Sequence, residues 1–172
     1  MKTCKICKRR FEPTNSLQVT CGIVCALEHG RKKAHARKKQ ELRDRKAALL
    51  TLSDHHKATQ AVFNKYIRLR DRGQPCISCQ RSTGAKINAG HYLSRGSHPE
   101  LRYNERNCHL QCEKCNSWLS GNQQQYRINL INKIGLSEVL KLEGEHPPKQ
   151  YRIDDLKEIQ GIYKAKIKDL SV

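Results

Sequence analysis

The sequence predicts a small α+β protein that is stapled by zinc and extended by long basic helices, and three observations carry that prediction. Cys76, Cys79, Cys112 and Cys115 fall as two Cys-x-x-Cys pairs, and Cys4, Cys7, Cys21 and Cys25 form a second set near the start. Only 37% of the 172 residues are hydrophobic and 5% aromatic, which is too little for one large core. The formal net charge is +18, an excess that calls for a polyanionic partner, of which nucleic acid is the commonest.

Composition also excludes several classes. No run approaches the roughly 18 apolar residues of a membrane span. The start Met-Lys-Thr-Cys lacks the apolar stretch of a secretory signal, so a cytoplasmic protein is expected, with no membrane association. In that setting its nine cysteines are expected to bind metal rather than form disulfides. No repeat, cofactor-binding glycine motif or lipidation signal is present.

Residues 1–28 form the first predicted module. Cys4-Lys-Ile-Cys7 followed by Cys21 and Cys25 fits a four-thiolate zinc site, with Phe11 and Val19 among the few side chains able to cover it. Its role reads as a folding staple, because no C2H2-type recognition helix accompanies it. Residues 29–73 form a basic helical arm. Its first part carries Arg31, Lys32, Lys33, Arg37, Lys38, Lys39, Arg43, Arg45 and Lys46 against few acids, with no Gly or Pro after Gly30, so a long exposed helix is predicted. A surplus of one sign suits contact with a nucleic-acid backbone, although a solvated spacer helix has the same composition.

A second helix is expected to start at Ser53 or Asp54 and to end before Gly73, with Ala58, Val62, Tyr66 and Leu69 as its packing face. His29, His35, His55 and His56 read as polar surface residues. Residues 74–134 hold the second zinc set. Lys86 to Tyr92 is the best strand candidate, and a loop from Ser94 to Tyr103 leads to an extended stretch around Asn107 to Leu110. A helix begins near Asn116 and is interrupted at Gly121. Zinc thus pins a strand, loop, strand, helix order in which His91 lies on a strand and Asn116 directly follows the last cysteine.

Residues 76–122 resemble an HNH nuclease of the His-Me finger, ββα-metal type, in the version with asparagine at the last position. More closely, the chain resembles the phage NinG/Rap recombination family. The blocks carrying that likeness are Asp71 to Cys79, Ala89 to Tyr92, Leu101 to Asn107, Gln111 to Asn116, Ser120 to Asn122 and Tyr126-Arg127. The resemblance implies a phage or prophage protein acting as a structure-specific endonuclease on branched DNA, such as Holliday junctions and D-loops.

Phosphodiester hydrolysis needs a water deprotonated beside phosphorus, and neutral imidazole suits that task, so His91 is the candidate base. The family pattern implies that Asn107 holds the loop and orients His91. It also implies that Asn116 offers an amide oxygen to a catalytic Mg2+ or Mn2+, a cation separate from the two structural zinc ions. At Gly90 the sequence departs from that pattern, where many relatives place an Asp or His; His109 and Glu113 are weak substitutes. Arg95, Arg102 and Arg106 are candidates to hold phosphate. Trp118 is expected to pack the finger helix and Cys108 to be a buried small side chain.

Residues 135–172 form a C-terminal helical region. Tyr126, Leu130 and Ile134 lead into it, and a final helix carries Leu156, Ile159, Tyr163, Ile167 and Leu170 on one face. That face either folds back on the finger or joins a homodimer. Two rivals to the nuclease stand: a non-catalytic zinc-dependent DNA-binding protein, and an RNA-binding or protein-interaction adaptor.

Overall fold

The computed structural model describes residues 1–82 and 86–171, which divide into two compact units, Met1–Leu50 and Thr51–Val172. No helix among the described residues is long and apolar enough to cross a membrane.

In the first unit, β1 (Lys2–Thr3) pairs antiparallel with β2 (Arg10–Phe11), and the Cys4 to Cys7 knuckle joins them. Cys4 and Thr20 are its only buried residues. The rest is α1 (Ile23–Ala48), 26 residues with none buried and about 39 Å long at the α-helical rise. It is held by good helix formers, by the ion pairs Glu28 with Lys32 (2.8 Å) and Arg37 with Glu41 (3.4 Å), and by Arg45 and Lys46 at its negative end.

The second unit starts with α2 (Leu52–Arg70). Thr51 is its cap: Thr51 Oγ1 accepts from Asp54 N at 3.3 Å, and Asp54 Oδ2 accepts from Thr51 N at 3.0 Å. The helix therefore begins earlier than Ser53, and Asp54 is the acidic partner in the capping box. Its buried face is Thr59, Gln60, Phe63, Tyr66 and Ile67. The expected face of Ala58, Val62, Tyr66 and Leu69 is rotated, with Ala58 exposed, because Phe63 and Ile67 bring more apolar area to the contact. The basic arm expected over 29–73 is thus two helices of different character, one in each unit.

α5 (Ile153–Asp169) covers that face. Tyr163 packs against Phe63 and Tyr66 with ring centroids 4.9 and 5.1 Å apart, and Thr59 Oγ1 donates to Leu156 O at 3.1 Å. The C-terminal stripe through Leu156, Ile159, Tyr163 and Ile167 is therefore used within the chain, while Leu170 stays exposed. His56 joins this core rather than the surface: its ring stacks on Tyr103 and its Nδ1 lies 3.1 Å from the Tyr103 hydroxyl.

β3 (Ile87–His91) and β4 (Cys108–Cys112) pair antiparallel, with Gly90 opposite His109 and His91 opposite Cys108. Alternation sends Ala89 and Cys108 towards the α2 and α5 cluster and His109 towards Tyr126. Tyr126 belongs to α3 (Gln123–Ile134), which with α4 (Leu136–Glu143) builds a second cluster around Tyr92, Leu101, Leu130, Val139 and Leu142. Asp71 ties these layers together. Its buried carboxylate accepts two bonds from Arg70 at 2.8 and 2.9 Å and one from Leu110 N at 3.0 Å, with Lys133 3.6 Å away. Burial works against that charge, but the Arg70 pair holds its pKa below the usual carboxylate range.

Candidate functional site

The eight cysteines expected to bind zinc come together as two groups, Cys4, Cys7, Cys21 with Cys25 and Cys76, Cys79, Cys112 with Cys115. Within each group the sulfurs lie within 4.8 Å of one another. Four thiolates on one tetrahedral zinc stand about 3.8 Å apart given ordinary Zn–S bonds. The separations of 3.4 Å (Cys7 to Cys21), 3.7 Å (Cys21 to Cys25) and 3.9 Å (Cys79 to Cys112) fit that ion. Backbone amides of Cys112 and Cys115 point at Cys76 Sγ and Cys112 Sγ, at 3.4 and 3.5 Å, as donors to thiolates do.

Beside the second group lies an open groove of about 650 Å³, walled by Asn64 and Arg68 of α2, by Asn88, Ala89 and His91 of β3, and by Arg95, Arg102, Asn116, Ser120, Gly121 and Gln123. No Asp or Glu is among its lining residues, so the wall is cationic. His91 and Asn116 meet here, as do Arg95 and Arg102. Arg106 does not: it pairs with Glu138 and lines a separate hollow with His109 and Lys133. Sequence reading missed Asn64 and Arg68. With Gln60 they repeat every four residues, a polar stripe beside the apolar one, and Gln60 Oε1 accepts from Arg102 Nε at 2.9 Å, fixing that guanidinium.

The His91 ring is set by its neighbours. Nε2 lies 2.9 Å from the Arg102 carbonyl oxygen, which can only accept, so Nε2 carries the hydrogen and Nδ1 the lone pair. Phe63 flanks the ring at 6.0 Å, and the nearest polar neighbour of Nδ1 is Cys108 Sγ at 3.6 Å, a weak donor. Burial pushes the His91 pKa down to about 4; the Arg102 carbonyl opposes this, and the charges of Arg95 and Arg102 add to it. His91 is therefore neutral at physiological pH. Cys108 is fully buried, and burial raises its thiol pKa, so it stays protonated beside the imidazole.

Asn107 does not reach His91. Its side chain accepts from Leu93 N at 2.8 Å and donates to the Leu93 and Leu101 carbonyls at 3.0 and 3.3 Å, so it closes the loop between the strands. That loop carries Arg102, and the orientation of His91 comes from the loop's carbonyl instead of an asparagine bond. Asn116 lies in the first turn of a short, wide helical segment, Lys114–Trp118, closed by Leu119 N to Lys114 O at 2.9 Å, and α3 begins only after a tight break at Ser120 to Asn122.

Gly90 has a structural cause. A Cβ there would fall 2.0 Å from Gln111 Oε1, so no side chain fits while Gln111 lies across it. Gln111 is fully buried and donates to Ser78 Oγ and the Gly121 carbonyl at 2.7 and 2.6 Å; its Oε1 rests against the Gly90 Cα–H. His109 and Glu113 do not replace a ligand at 90: His109 lies against Tyr126, at 3.2 Å, on the face of the sheet away from His91, and Glu113 pairs with Lys86. Trp118 does not pack the finger helix; it is 74% exposed.

Two four-cysteine clusters that can hold zinc, a two-stranded sheet between helical layers and a cationic groove with a neutral histidine define a small α+β protein that two metal ions could staple. The chain matches the family described as Bacteriophage Lambda NinG protein over residues 1–172 and belongs to that family. It is 42% identical over 182 residues to Protein ninG of Escherichia phage lambda, covering 95% of this chain and 89% of the relative. Protein ninG of Salmonella phage P22 is 41% identical over 182 residues (95% and 90% covered), and that of Escherichia phage 933W is 38% identical over 187 (98% and 93%). No solved structure matches the chain.

Proposed function

We propose that this protein is a divalent-cation-dependent DNA endonuclease acting on branched recombination intermediates such as four-way junctions and D-loops. On this reading β3, β4, the turn at Lys114–Trp118 and α3 make an HNH-like ββα-metal finger within residues 74–134. The observation that carries it is a neutral His91, with Nδ1 left basic by the Arg102 carbonyl, in a groove shared with Arg68, Arg95, Arg102 and Asn116 and lined by no acid.

Each residue then has a task. Arg68, Arg95 and Arg102 take the phosphate oxygens, and the exposed cations of α1, from Arg31 to Arg43, hold flanking backbone without reading sequence. An anionic phosphate beside Arg95 and Arg102 offsets their repulsion of a proton on His91, so its basicity rises when substrate is bound. His91 Nδ1 takes a proton from water as that water's oxygen bonds to phosphorus. The opposite P–O bond breaks, and the leaving oxygen is protonated from solvent. Asn107 holds the loop that bears Arg102, and the wall opposite is set by Gln111 and the zinc knuckle.

The donor set fits a catalytic Mg2+ or Mn2+ in part: Asn116 offers one amide oxygen and no carboxylate lines the groove, so phosphate oxygens and water would complete the shell. Such an ion supplies charge neutralisation at the leaving oxygen. The same lack of carboxylates favours the second reading, a non-catalytic zinc-dependent DNA-binding protein. The deciding experiment compares zinc-loaded wild type and His91→Ala on a four-way junction and a matched linear duplex, with magnesium, manganese or chelator. The nuclease reading expects cation-dependent cutting of the junction that is lost in His91→Ala while binding persists. Binding without cutting by wild type would establish the second reading.

A further inference from the structure

The only tryptophan of the chain is spent on the surface. Trp118 is 74% exposed and Leu119 beside it 48%, in a unit whose other aromatic rings are largely used in two cores. An aromatic of that size is normally most of the way buried, so leaving it out forgoes considerable apolar burial.

The backbone that follows it is a locked turn. Ser120, Gly121 and Asn122 all have positive φ, at 48°, 90° and 45°, a conformation that Gly and Asn adopt readily and Ser does not. The segment is held regardless: Gly121 N donates to Cys115 O at 2.9 Å, and Asn122 N to Leu119 O at 2.8 Å. The Gly121 carbonyl accepts from buried Gln111 and from Ser78, and Asn122 Nδ2 reaches Cys115 Sγ at 3.7 Å. A turn tied to Cys115, one of the candidate metal ligands, therefore follows an exposed Trp118. Asn116, Ser120 and Gly121 of the same turn wall the cationic groove, and exposed Lys114 opens the turn.

We infer that Trp118, in the same turn as the groove-lining residues Asn116, Ser120 and Gly121, is a stacking platform for an unpaired nucleobase, so that the protein selects DNA in which a base is already unstacked. Rigid aromatics beside cations grip single strands in this way, the ring taking the base and the cations its phosphates, and apolar wedges enter disrupted base steps. Charge complementarity argues for this occupant: a protein surface covering Trp118 would also have to tolerate the arginines that line the groove. The inference rests on the DNA reading above but not on catalysis.

The test uses Trp118 emission, which no other tryptophan obscures. The zinc-loaded full chain, without added magnesium or manganese, is titrated with a duplex carrying one unpaired base and with a fully paired duplex of equal length, while anisotropy of labelled DNA reports binding. The unpaired-base DNA is expected to quench Trp118. Trp118→Ala should weaken that complex about tenfold and the paired one by less than about twofold, and Trp118→Phe should restore most of the difference. Binding of both DNAs with unchanged emission, or equal weakening by Trp118→Ala, overturns the platform while leaving DNA binding intact. Quenching that depends on protein concentration without DNA assigns the patch to self-association and also overturns it. No binding of either DNA overturns both readings.

Discussion

At residues 4–9 and 76–81 the backbone does the same thing twice. Cys4 N donates to Arg9 O at 2.9 Å and Cys76 N to Arg81 O at 3.0 Å, and the residue after the second cysteine, Lys8 or Gln80, takes a left-handed φ of 61° or 55°. What surrounds the two knuckles differs. The first has two-residue strands and two buried residues; the second pairs with β4 through Ile77 N and Leu110 O, between the cluster of α2 and α5 and that of α3 and α4. The same four-cysteine group thus stands in unequal settings: a zinc ion in the first would replace a core, whereas in the second it would trim the geometry of a groove that already has one.

Removing metal probes that contrast most strongly. A structural zinc contributes on the order of 10–16 kcal/mol to a module with no core. Cys7→Ser should therefore leave residues 1–22 unfolded, seen as collapse of their amide shifts to random-coil positions. Cys79→Ser should loosen the groove while far-UV circular dichroism still reports the helices of the second unit. Equal collapse of both units would erase the distinction drawn here.

The next largest effect falls on the second unit alone. Asp71→Ala strands Arg70 and Leu110 N in a buried setting and should cost about 3–5 kcal/mol in denaturant unfolding, with no change in the first unit's proteolytic resistance.

Acid should separate the units less sharply. Burial holds His109 at about 3 and His91 at about 4, against an ordinary value near 6.5. Their folded pKa values are lowered, so the unfolded chain binds protons first, and stability falls as pH drops below about 6.5. For His109 the loss is about 2 kcal/mol between about pH 7 and about pH 5. His91 contributes a similar loss, so His109→Gln should remove about half of the slope, with zinc content checked at both ends.

Neutralising α1 should do least to stability. Replacing Arg31, Lys32, Arg37 and Lys38 by Gln should leave thermal unfolding of the second unit unchanged, since no α1 residue is buried, while each lost phosphate contact shrinks the log–log salt dependence of DNA binding by about 0.9.

Much of this was legible in the residues. The cysteine spacing located both metal groups, and charge without an apolar stripe located α1. The stripe of Tyr126, Leu130 and Ile134 needed only helical periodicity. The start of α2 was misplaced because Thr51, Ser53 and Asp54 are all competent caps, and the sequence cannot say which of them closes the box. Trp118 was misassigned because a lone aromatic is usually core, whereas here it sits in the short turn before the break at Ser120 to Asn122 and is 74% exposed.

By itself the sequence located the two four-cysteine groups and the basic surface and singled out His91 and Asn116 as candidates, because these depend on residue type and spacing along the chain. Tertiary structure decided who touches whom. Arg68 and Asn64 reach the groove from α2, whereas Arg106, nearer to His91 in sequence, turns away to Glu138. The Arg102 carbonyl selects the His91 tautomer, and Gln111 dictates glycine at position 90. Contacts of this kind join segments far apart along the chain, and packing, which no local pattern encodes, sets them to within an ångström.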